Sequence, residues 1–545
     1  MKLIPEGENI LKKNRLKQIA CVFLAIVLGL SLVFYDKIET MFTVGMNKVL
    51  QRDGLEGYGV SSSNPIAVKV GMDVLEQGGN AADAAIAISY VLGVVEPYGS
   101  GIGGGGAMLV YSPEDDNFKF FNYRETAPIS STTQISGIGV PGFVKGMEDI
   151  HKVYGTIDMK ELIQPSVDYA ENGFEMDTNL YNRLNVFKEY SDMNSLSTFY
   201  DENGEPKNEG ETIIQTDLAN TLKAIQEDGA DAFYNGIIAE QLTLGTTLTA
   251  EDLSSYTTEE LEPVTGEFNG YEVITAPAPF SGTTLIQILK MAEYADVQSY
   301  ASNETEYLEK MSQIVNIAYT NRMAHIADPN FEEVDSQKYV TDDYVKKLYE
   351  KKYTEDITED ESEDTTAFVV TDKDGMVVSC TNTLGDFFGS QVNIGGFFLN
   401  DSVGHFNEKA HSINAYEPGK RSRTFIAPTI IKKGDSYIMG IASPGGNVIP
   451  QAISQVLLEY MKFGNNISDA IDEPRTVFRN NTEILTERNI SNSVIEEMTN
   501  KGYSVNYYDS NIFYGSVQTI IKDKNQGITG GADYRRRGDY EVKYK

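Results

Sequence analysis

The sequence has no tryptophan, two cysteines and four histidines among 545 residues. Cys21 lies in an apolar N-terminal run, so it and Cys380 cannot build a disulfide framework, and two cysteines are too few for a cysteine-ligated metal site. We expect Cys380 to be a small core residue on a strand. The histidines show no H-x-x-x-H spacing. The sequence therefore predicts neither a metal site nor a cofactor.

Basic residues are also scarce, because 45 Lys and Arg stand against 80 Asp and Glu, giving a formal net charge of −35. A surface of this charge repels nucleic acid and anionic lipid. An anionic substrate must therefore be received by a local basic site. Two basic islands, Lys420–Thr424 and Arg535–Arg537, offer guanidinium groups that can fork onto carboxylates, although such islands are commonly solvated faces.

The one long apolar run lies near the N-terminus. Residues 1–18 are basic, residues 19–35 are uncharged, and residues 36–56 read as a tether, so we expect the folded part to begin near Tyr58. A basic flank before an apolar run of this length predicts a signal-anchor with the rest of the chain exported to the cell surface. A cleaved signal peptide, which would give a secreted protein, is the alternative.

A second boundary lies at Thr365. Seven of the ten residues from Glu355 to Asp364 are carboxylates. A run of this kind predicts a linker, and the β-branched strand that follows, from Thr366 to Thr371, is joined by a turn to a second strand from Met376 to Thr383. If the chain were cut before Thr365, the hydroxyl and the new α-amino group would give a nucleophile with its own base. The simpler interpretation is an ordinary junction between a loop and a strand.

Helices are predicted from Pro65 to the Gly78-Gly79 pair and from Asn80 to Val95, the second apolar on all sides and therefore buried. The glycine-rich loop Gly99–Gly106 lacks a Gly-Lys-Ser/Thr ending, so it predicts close backbone packing rather than phosphate binding. Strands then dominate after Thr365. Together the pattern predicts two sheets between helical layers.

Five segments in this order resemble the gamma-glutamyltransferase family: GNAADAA (79–85), SGIGGGG (100–106), YRETAP (123–128), Thr365-Thr366 with the strand that follows, and SPGG (443–446). The segments at 276–282 and 418–425 and the arginine-rich end are most similar to its capsule-depolymerase branch, whose members act on poly-γ-glutamate. The resemblance implies an α/β N-terminal-nucleophile hydrolase with an αββα sandwich. It also implies self-cleavage before Thr365 into residues 57–364 and 365–545, which stay associated as a heterodimer.

The resemblance also implies residue roles. Thr365 is expected to attack a γ-glutamyl amide, with Thr383 orienting it and with Gly445 and Gly446 holding the oxyanion. Arg124 is expected to bind a substrate carboxylate. The remaining expected substrate-binding residues come from the two basic islands: Arg421, Arg423, Thr424, Arg535 and Arg536. Water or an amine acceptor would take the acyl group.

The sequence departs from the family at several positions. Ala367 replaces a common histidine, and Gly385 replaces an asparagine. Ser402 and His405 stand where glutathione-type members hold a free amino group, and Thr424-Phe425 replaces a pair of serines. These changes favour an internal unit of a polyanion over glutathione. A glutathione-type transferase, or an inactive protein that only binds the capsule polymer, are the alternatives.

Overall fold

The computed structural model describes residues 57–351, 364–409, 411–508 and 513–544. The predicted anchor and tether and most of the acidic linker lie outside these residues. Among the residues described, no helix has the length and hydropathy needed to span a bilayer.

The helices in chain order are α1 (Pro65–Glu76), α2 (Ala81–Val95), α3 (Phe143–Tyr154), α4 (Met159–Asn172), α5 (Thr178–Val186), α6 (Thr216–Asp228), α7 (Ala230–Tyr234), α8 (Ile237–Gly245), α9 (Ala250–Ser254), α10 (Gly282–Tyr294), α11 (Glu304–His325), α12 (Asp342–Glu350), α13 (Ile449–Leu457), α14 (Ile467–Asp472) and α15 (Asn492–Asn500). Both predicted N-terminal helices are confirmed, with Asn64 and Asn80 as their N-caps. Helix α13 leaves α-geometry after Leu457, and the chain continues as a π-helical segment, Leu458–Phe463.

The strands are β1 (Tyr58–Ser62), β2 (Gly105–Ser112), β3 (Asn117–Asn122), β4 (Phe174–Glu175), β5 (Thr212–Ile213), β6 (Glu259–Leu261), β7 (Val264–Phe268), β8 (Tyr271–Thr275), β9 (Asp364–Thr371), β10 (Val377–Gly385), β11 (Asn393–Ile394), β12 (Phe397–Phe398), β13 (Thr429–Lys433), β14 (Tyr437–Ala442), β15 (Thr476–Phe478), β16 (Glu483–Thr486), β17 (Ser504–Tyr507), β18 (Gln518–Asp523), β19 (Gly527–Ala532) and β20 (Asp539–Lys543). The first strand begins at Tyr58, where the sequence predicts that the folded part of the chain begins.

Two large sheets organise the described residues. One has the strand order β20-β1-β9-β10-β2-β3-β6, and the other has the order β19-β18-β14-β13-β8-β7. The sheets face each other, because Ala367 and Val369 of β9 pack in one apolar cluster with Ala442 of β14 and Ile520 of β18. This contact defines the space between the sheets.

Helices cover the outer faces of both sheets. Phe368 and Val370, which alternate with Ala367 and Val369 along β9, belong to the apolar cluster that contains α1 to α4. On the other sheet, Met439 packs with α10 and α11. The layers therefore run helix, sheet, sheet, helix, as the sequence predicts.

Cys380 lies on β10 and is fully buried. Burial raises the pKa of its thiol to about 12. A thiol with this pKa stays protonated at neutral pH and is a poor nucleophile, so the prediction of a core residue is confirmed.

Candidate active site

Thr365 is the second residue of β9 and lies opposite Thr383 of β10 in the antiparallel register. Its hydroxyl oxygen accepts a hydrogen bond of 2.8 Å from the backbone N–H of Gly445, which follows β14 of the facing sheet. The next residue points the other way, since the Thr366 hydroxyl donates to Ser100 at 2.9 Å. Strand alternation thus directs the Thr365 side chain between the two sheets.

The peptide bond between Asp364 and Thr365 is held on both sides. The Thr383 hydroxyl donates to the carbonyl oxygen of Asp364 at 3.1 Å, and Arg536 donates to the carbonyl oxygen of Thr365 at 3.0 Å. The Asp364 carboxylate is paired with Arg183. The Thr383 oxygen in turn accepts from the N–H of Gly385 at 2.9 Å, so that the hydroxyl proton is directed at Asp364. The geometry polarises the carbonyl that the Thr365 hydroxyl would attack.

Gly445 and Gly446 form the turn after β14. Both have positive φ, +131° and +57°, which favours glycine at these positions. A Cβ at Gly445 would lie 3.0 Å from the Cα of Gly515. The turn thus brings a backbone N–H directly to the Thr365 hydroxyl oxygen, and a donor fixed in this way can stabilise an oxyanion without reorganising.

The glycine-rich loop lies against the strand that carries Thr383. A Cβ at Gly104 would lie 2.1 Å from the carbonyl oxygen of Thr383, and one at Gly106 would lie 2.5 Å from that of Thr381. Gly103 would meet the Phe398 carbonyl at 2.1 Å. The prediction of close backbone packing is confirmed at these positions.

Arg124 follows β3 and is 1% exposed. Its Nε lies 3.3 Å from the Glu125 carboxylate, and its Nη2 donates weakly to Ser422 at 3.5 Å. Its Nη1 has no hydrogen-bond partner within the part of the chain that the structure describes. A buried N–H of this kind is costly unless it is bound, so Arg124 is suited to receive a carboxylate.

Arg421 contacts the backbone of Arg124. Its side chain binds the Glu259 carboxylate at 2.9 Å and the Thr257 carbonyl at 2.8 Å, and its Nε donates to the Arg124 carbonyl at 3.4 Å. These contacts position the backbone of Arg124. They leave Arg421 largely engaged by the protein.

Arg423 lies at the C-terminal end of α11. Its Nη1 donates to the carbonyls of Met323 and Ile326 at 3.1 and 3.2 Å. Burial, together with the neighbouring Arg322, holds the pKa of this guanidinium well below its usual range. Thr424 follows, and its hydroxyl oxygen accepts from the N–H of Ile426 at 3.3 Å. Both residues thus make local structural contacts.

Arg535 and Arg536 have different surroundings. Arg535 binds Glu487 at 2.6 Å and Asp533 at 3.0 Å, which makes it part of a buried ion-pair network. Arg536 instead reaches the Thr365 carbonyl. Of this island, the structure therefore brings Arg536 to Thr365 and holds Arg535 in internal ion pairs.

Three of the positions that differ from the expected pattern, Gly385, Ser402 and His405, lie around Asp401. A Cβ at Gly385, whose φ is +96°, would lie 1.7 Å from a carboxylate oxygen of Asp401. Asp401 therefore fills the space where an asparagine side chain would begin. The His405 Nε2 lies 3.8 Å from Asp401, and the Ser402 hydroxyl donates to Asn400 at 2.9 Å.

Asp386, Asp401 and His405 also place potential ligand atoms within 4.8 Å of one another. Sequence reasoning missed Asp401, because its importance follows from contact with Gly385 rather than from any motif.

A buried carboxyl, Glu96, lies near Arg183 and Arg536 and accepts from the Ser63 hydroxyl at 3.0 Å. Burial raises the pKa of Glu96 from 4.5 to about 7, with Asp177 adding to the rise, while Ser63 and the two arginines oppose it. Burial therefore favours the neutral form of the Glu96 carboxyl over its charged form.

We expect Glu96 to make the protein less stable as the pH rises from about 4.5 to about 7. The stabilisation is fully present below the pKa of the unfolded state and is lost as Glu96 ionises in the fold, by on the order of 3 kcal/mol. Urea unfolding at pH 5 and pH 8 should show Glu96→Gln gaining stability over the wild type mainly at pH 8. The exposed control Glu202→Gln should follow the wild type, and parallel profiles for Glu96→Gln would contradict the assignment.

Gly104→Ala tests the close approach to Thr383. The added Cβ must displace the Thr383 backbone, so we expect a loss of about 3 kcal/mol in unfolding free energy and slower chemistry at Thr365. Urea unfolding measures the first effect. Gly404→Ala is the matched control, because no atom lies within 4 Å of its Cβ position. Equal stability of the two variants would show that the loop is not tightly packed.

Comparison with known proteins identifies the same family that the sequence motifs resemble. A family model described as gamma-glutamyltranspeptidase matches residues 67–542. The capsule biosynthesis protein CapD proenzyme of Bacillus anthracis is 47% identical over 485 residues, covering 89% of this chain and 90% of that protein. A glutathione hydrolase proenzyme of Bacillus subtilis (strain 168) is 32% identical over 539 residues, covering 89% of this chain and 91% of that protein.

Among solved structures, a cephalosporin acylase from Bacillus halodurans aligns with a TM-score of 0.79 and 25% identity, covering 90% of this chain and 96% of that one. The Bacillus anthracis transpeptidase CapD, in its second crystal form, aligns with a TM-score of 0.50 and 48% identity, covering 53% of this chain and 98% of that one. The chain belongs to the gamma-glutamyltranspeptidase family and has its mixed α/β N-terminal-nucleophile hydrolase fold.

Proposed function

We propose that this protein is an extracytoplasmic γ-glutamyl hydrolase and transpeptidase that cleaves poly-γ-glutamate after cutting its own chain before Thr365. The observation that carries the proposal is the hydrogen bond from Gly445 N–H to the Thr365 hydroxyl, next to a carbonyl already bound by Thr383. Two of the relatives are named as proenzymes, which supports the view that this chain is also made as a precursor.

The self-cleavage step follows from this geometry. The Thr365 hydroxyl attacks the Asp364 carbonyl carbon, and Thr383 stabilises the negative charge that forms on the carbonyl oxygen. Breaking the C–N bond transfers the acyl group to the Thr365 oxygen as an ester and leaves the proton on the new amine. Water then hydrolyses the ester. The products are a new main-chain α-carboxylate on Asp364 and a free α-amino group on Thr365.

In the substrate reaction the α-amino group takes the proton of its own hydroxyl as Thr365 attacks a γ-glutamyl carbonyl. The N–H groups of Gly445 and Gly446 would hold the oxyanion, and the amine of the substrate leaves with the proton. The resulting acyl-enzyme is released by water or by an amine acceptor. Arg124 would bind the α-carboxylate of the unit being cleaved.

The cut fragments would remain together. In the first sheet β9 lies between β1 and β10, and β10 lies between β9 and β2. After cleavage β1 and β2 belong to one fragment, whereas β9, β10 and β20 belong to the other. Strands of both fragments alternate in one hydrogen-bonded sheet, which favours a stable heterodimer.

Ala367 bears on the alternative of an inactive polymer-binding protein. Its side chain is fully buried in the apolar cluster between the sheets. The contacts of Thr365 with Gly445 and of Thr383 with Asp364 are formed without a histidine at this position. This favours an active enzyme.

Glutathione-type transfer is the second candidate, and Asp401 is the observation that favours it. A carboxylate beside Gly385 is a group that can accept hydrogen bonds from a free amino group. Against it, the Asp401 oxygen already accepts from the N–H of Asp386 at 3.1 Å. The internal contacts of Arg423 and Arg535 do not support their predicted role with neighbouring polymer units.

We propose that residues 19–35, which lie outside the described residues, anchor the protein at the cell surface.

Self-cleavage is tested by Thr365→Ala, which should stay one chain, whereas the wild type should yield a smaller fragment beginning Thr-Thr-Ala-Phe. Thr383→Val should slow the cut on the order of 100-fold, the effect of losing one oxyanion donor. Thr383→Ser keeps the hydroxyl and should cut at nearly the wild-type rate. Denaturing gels and N-terminal sequencing measure these outcomes. Recovery of an intact, active chain would refute self-cleavage.

Arg124→Gln should lower kcat/KM about 10- to 100-fold on both poly-γ-glutamate and a single γ-glutamyl anilide, because a charged contact of roughly 1.5–3 kcal/mol is lost from the cleaved unit. Self-cleavage should persist. Lys223→Gln, which removes an equal charge from the surface, is the control. Steady-state kinetics on both substrates and on glutathione also decide between candidates, since a preference of the wild type for glutathione would favour the second.

A further inference from the structure

Two buried guanidinium groups lie beside the bond between Asp364 and Thr365. Arg183 of α5 is 0% exposed and Arg536 is 2% exposed. In the described part of the chain, the Nε and Nη2 of Arg183 and the Nε of Arg536 have no hydrogen-bond partner. Nitrogens of two buried cations thus remain available for an anion.

The Asp364 carboxylate occupies this place in the uncut chain. It pairs with the Nη1 of Arg183, whose guanidinium also lies 4.7 Å from the centre of the Tyr98 ring. The Asp364 side chain is 7% exposed, so this ion pair lies at the margin of the buried region. The anion that pairs with Arg183 therefore belongs to the residue whose peptide bond would be broken.

Arg183 disfavours the charged form of Arg536. The pKa of Arg536 is lowered to about 10, chiefly by burial and then by Arg183, while Asp364 opposes the change. Removing the carboxylate would leave two buried cations with Glu96 as their neighbouring acid, and an uncompensated buried charge is strongly unfavourable. An anion beside these two guanidinium groups is therefore favourable both before and after cleavage.

We propose that Arg183 and Arg536 form a carboxylate subsite of the cleaved enzyme, filled by Asp364 in the precursor and by the α-carboxylate of a polymer unit during turnover. This inference rests on the proposed function. The covalent link to Thr365 holds Asp364 in the subsite, and self-cleavage removes that link. A substrate carboxylate can then exchange with it.

The sheet order shows why the subsite would serve a unit other than the one bound by Arg124. Asp364 begins β9 and Arg124 follows β3, and the strands between them are β10 and β2. Three strand spacings correspond to about 14 Å. One γ-linked glutamyl repeat spans roughly 6 Å when extended. A polymer of several units is therefore long enough to span the backbone separation of the two sites, whereas a single γ-glutamyl amide is not.

The first test compares a four-unit γ-glutamate oligomer with a single γ-glutamyl anilide, using self-cleaved enzyme. Arg183→Gln should lower kcat/KM for the oligomer at least 10-fold and change that for the anilide less than two-fold. Lys223→Gln should change neither. Equal effects of Arg183→Gln on both substrates, or no effect on the oligomer, would overturn the subsite. Failure of the wild type to cleave either substrate would instead refute the proposed function.

The second test changes the substrate, so it does not depend on the folding of one variant. Amidating the α-carboxylates of the oligomer outside the cleaved unit should lower kcat/KM of the wild type at least 10-fold, and should cost little more in Arg183→Gln. If Arg183→Gln is not self-cleaved, Arg183→Lys takes its place and should show an intermediate loss. Full turnover of the amidated oligomer by the wild type would exclude the subsite.

The third test uses Asp364→Ala, which removes the side-chain carboxylate that pairs with Arg183. Without this competing group, the cleaved variant should turn over the oligomer at least as well as the wild type, with turnover of the anilide unchanged. A selective loss of oligomer turnover would mean that Asp364 assists substrate binding rather than competing with it, and would overturn the exchange.

Discussion

The register between β9 and β10 is the constraint on which the site depends. With Thr365 opposite Thr383, the Thr383 hydroxyl meets the Asp364 carbonyl and the Thr365 hydroxyl faces Gly445 on the other sheet. A slip of one residue would turn Thr365 toward the helices, because strand side chains alternate. Gly104 helps to fix this register, since its missing Cβ lets the glycine-rich loop contact the Thr383 carbonyl.

Charge in this protein acts locally rather than through the general field. The chain carries a net charge of −35, yet five of its largest fully buried side chains are arginines: Arg124, Arg183, Arg322, Arg423 and Arg475. Their surroundings separate their roles. Arg423 binds the carbonyls at a helix end, whereas Arg124 and Arg183 keep nitrogens without partners among the described residues. Burial makes an unfilled N–H costly, so these two arginines are suited to a ligand, as is Arg536, whose Nε also lacks a partner among the described residues.

Sequence reasoning predicted the first two helices, the paired strands and the close packing of the glycine-rich loop, because each depends on neighbouring residues. It located Thr365 from the break between an acidic run and a strand. It could not find Arg183, which lies 181 residues from Asp364 in sequence and sits in an ordinary helical pattern. Charge clustering likewise suggested Arg535 as a ligand, but the cluster alone does not reveal that Glu487 and Asp533 lie beside it.

The contacts around Thr365 form with Ala367 at the position where the family resemblance leads us to expect a histidine. Ala367 and Thr365 lie on the same face of β9, but one packs against Ala442 and Ile520 while the other meets the turn beyond β14. A histidine here would bring a polar ring into this apolar cluster and would need its own partner. The contacts that polarise the Asp364 carbonyl come instead from β10, through Thr383 and Gly385. The contacts around the Asp364 carbonyl are therefore set by strand pairing, and they form with alanine at position 367.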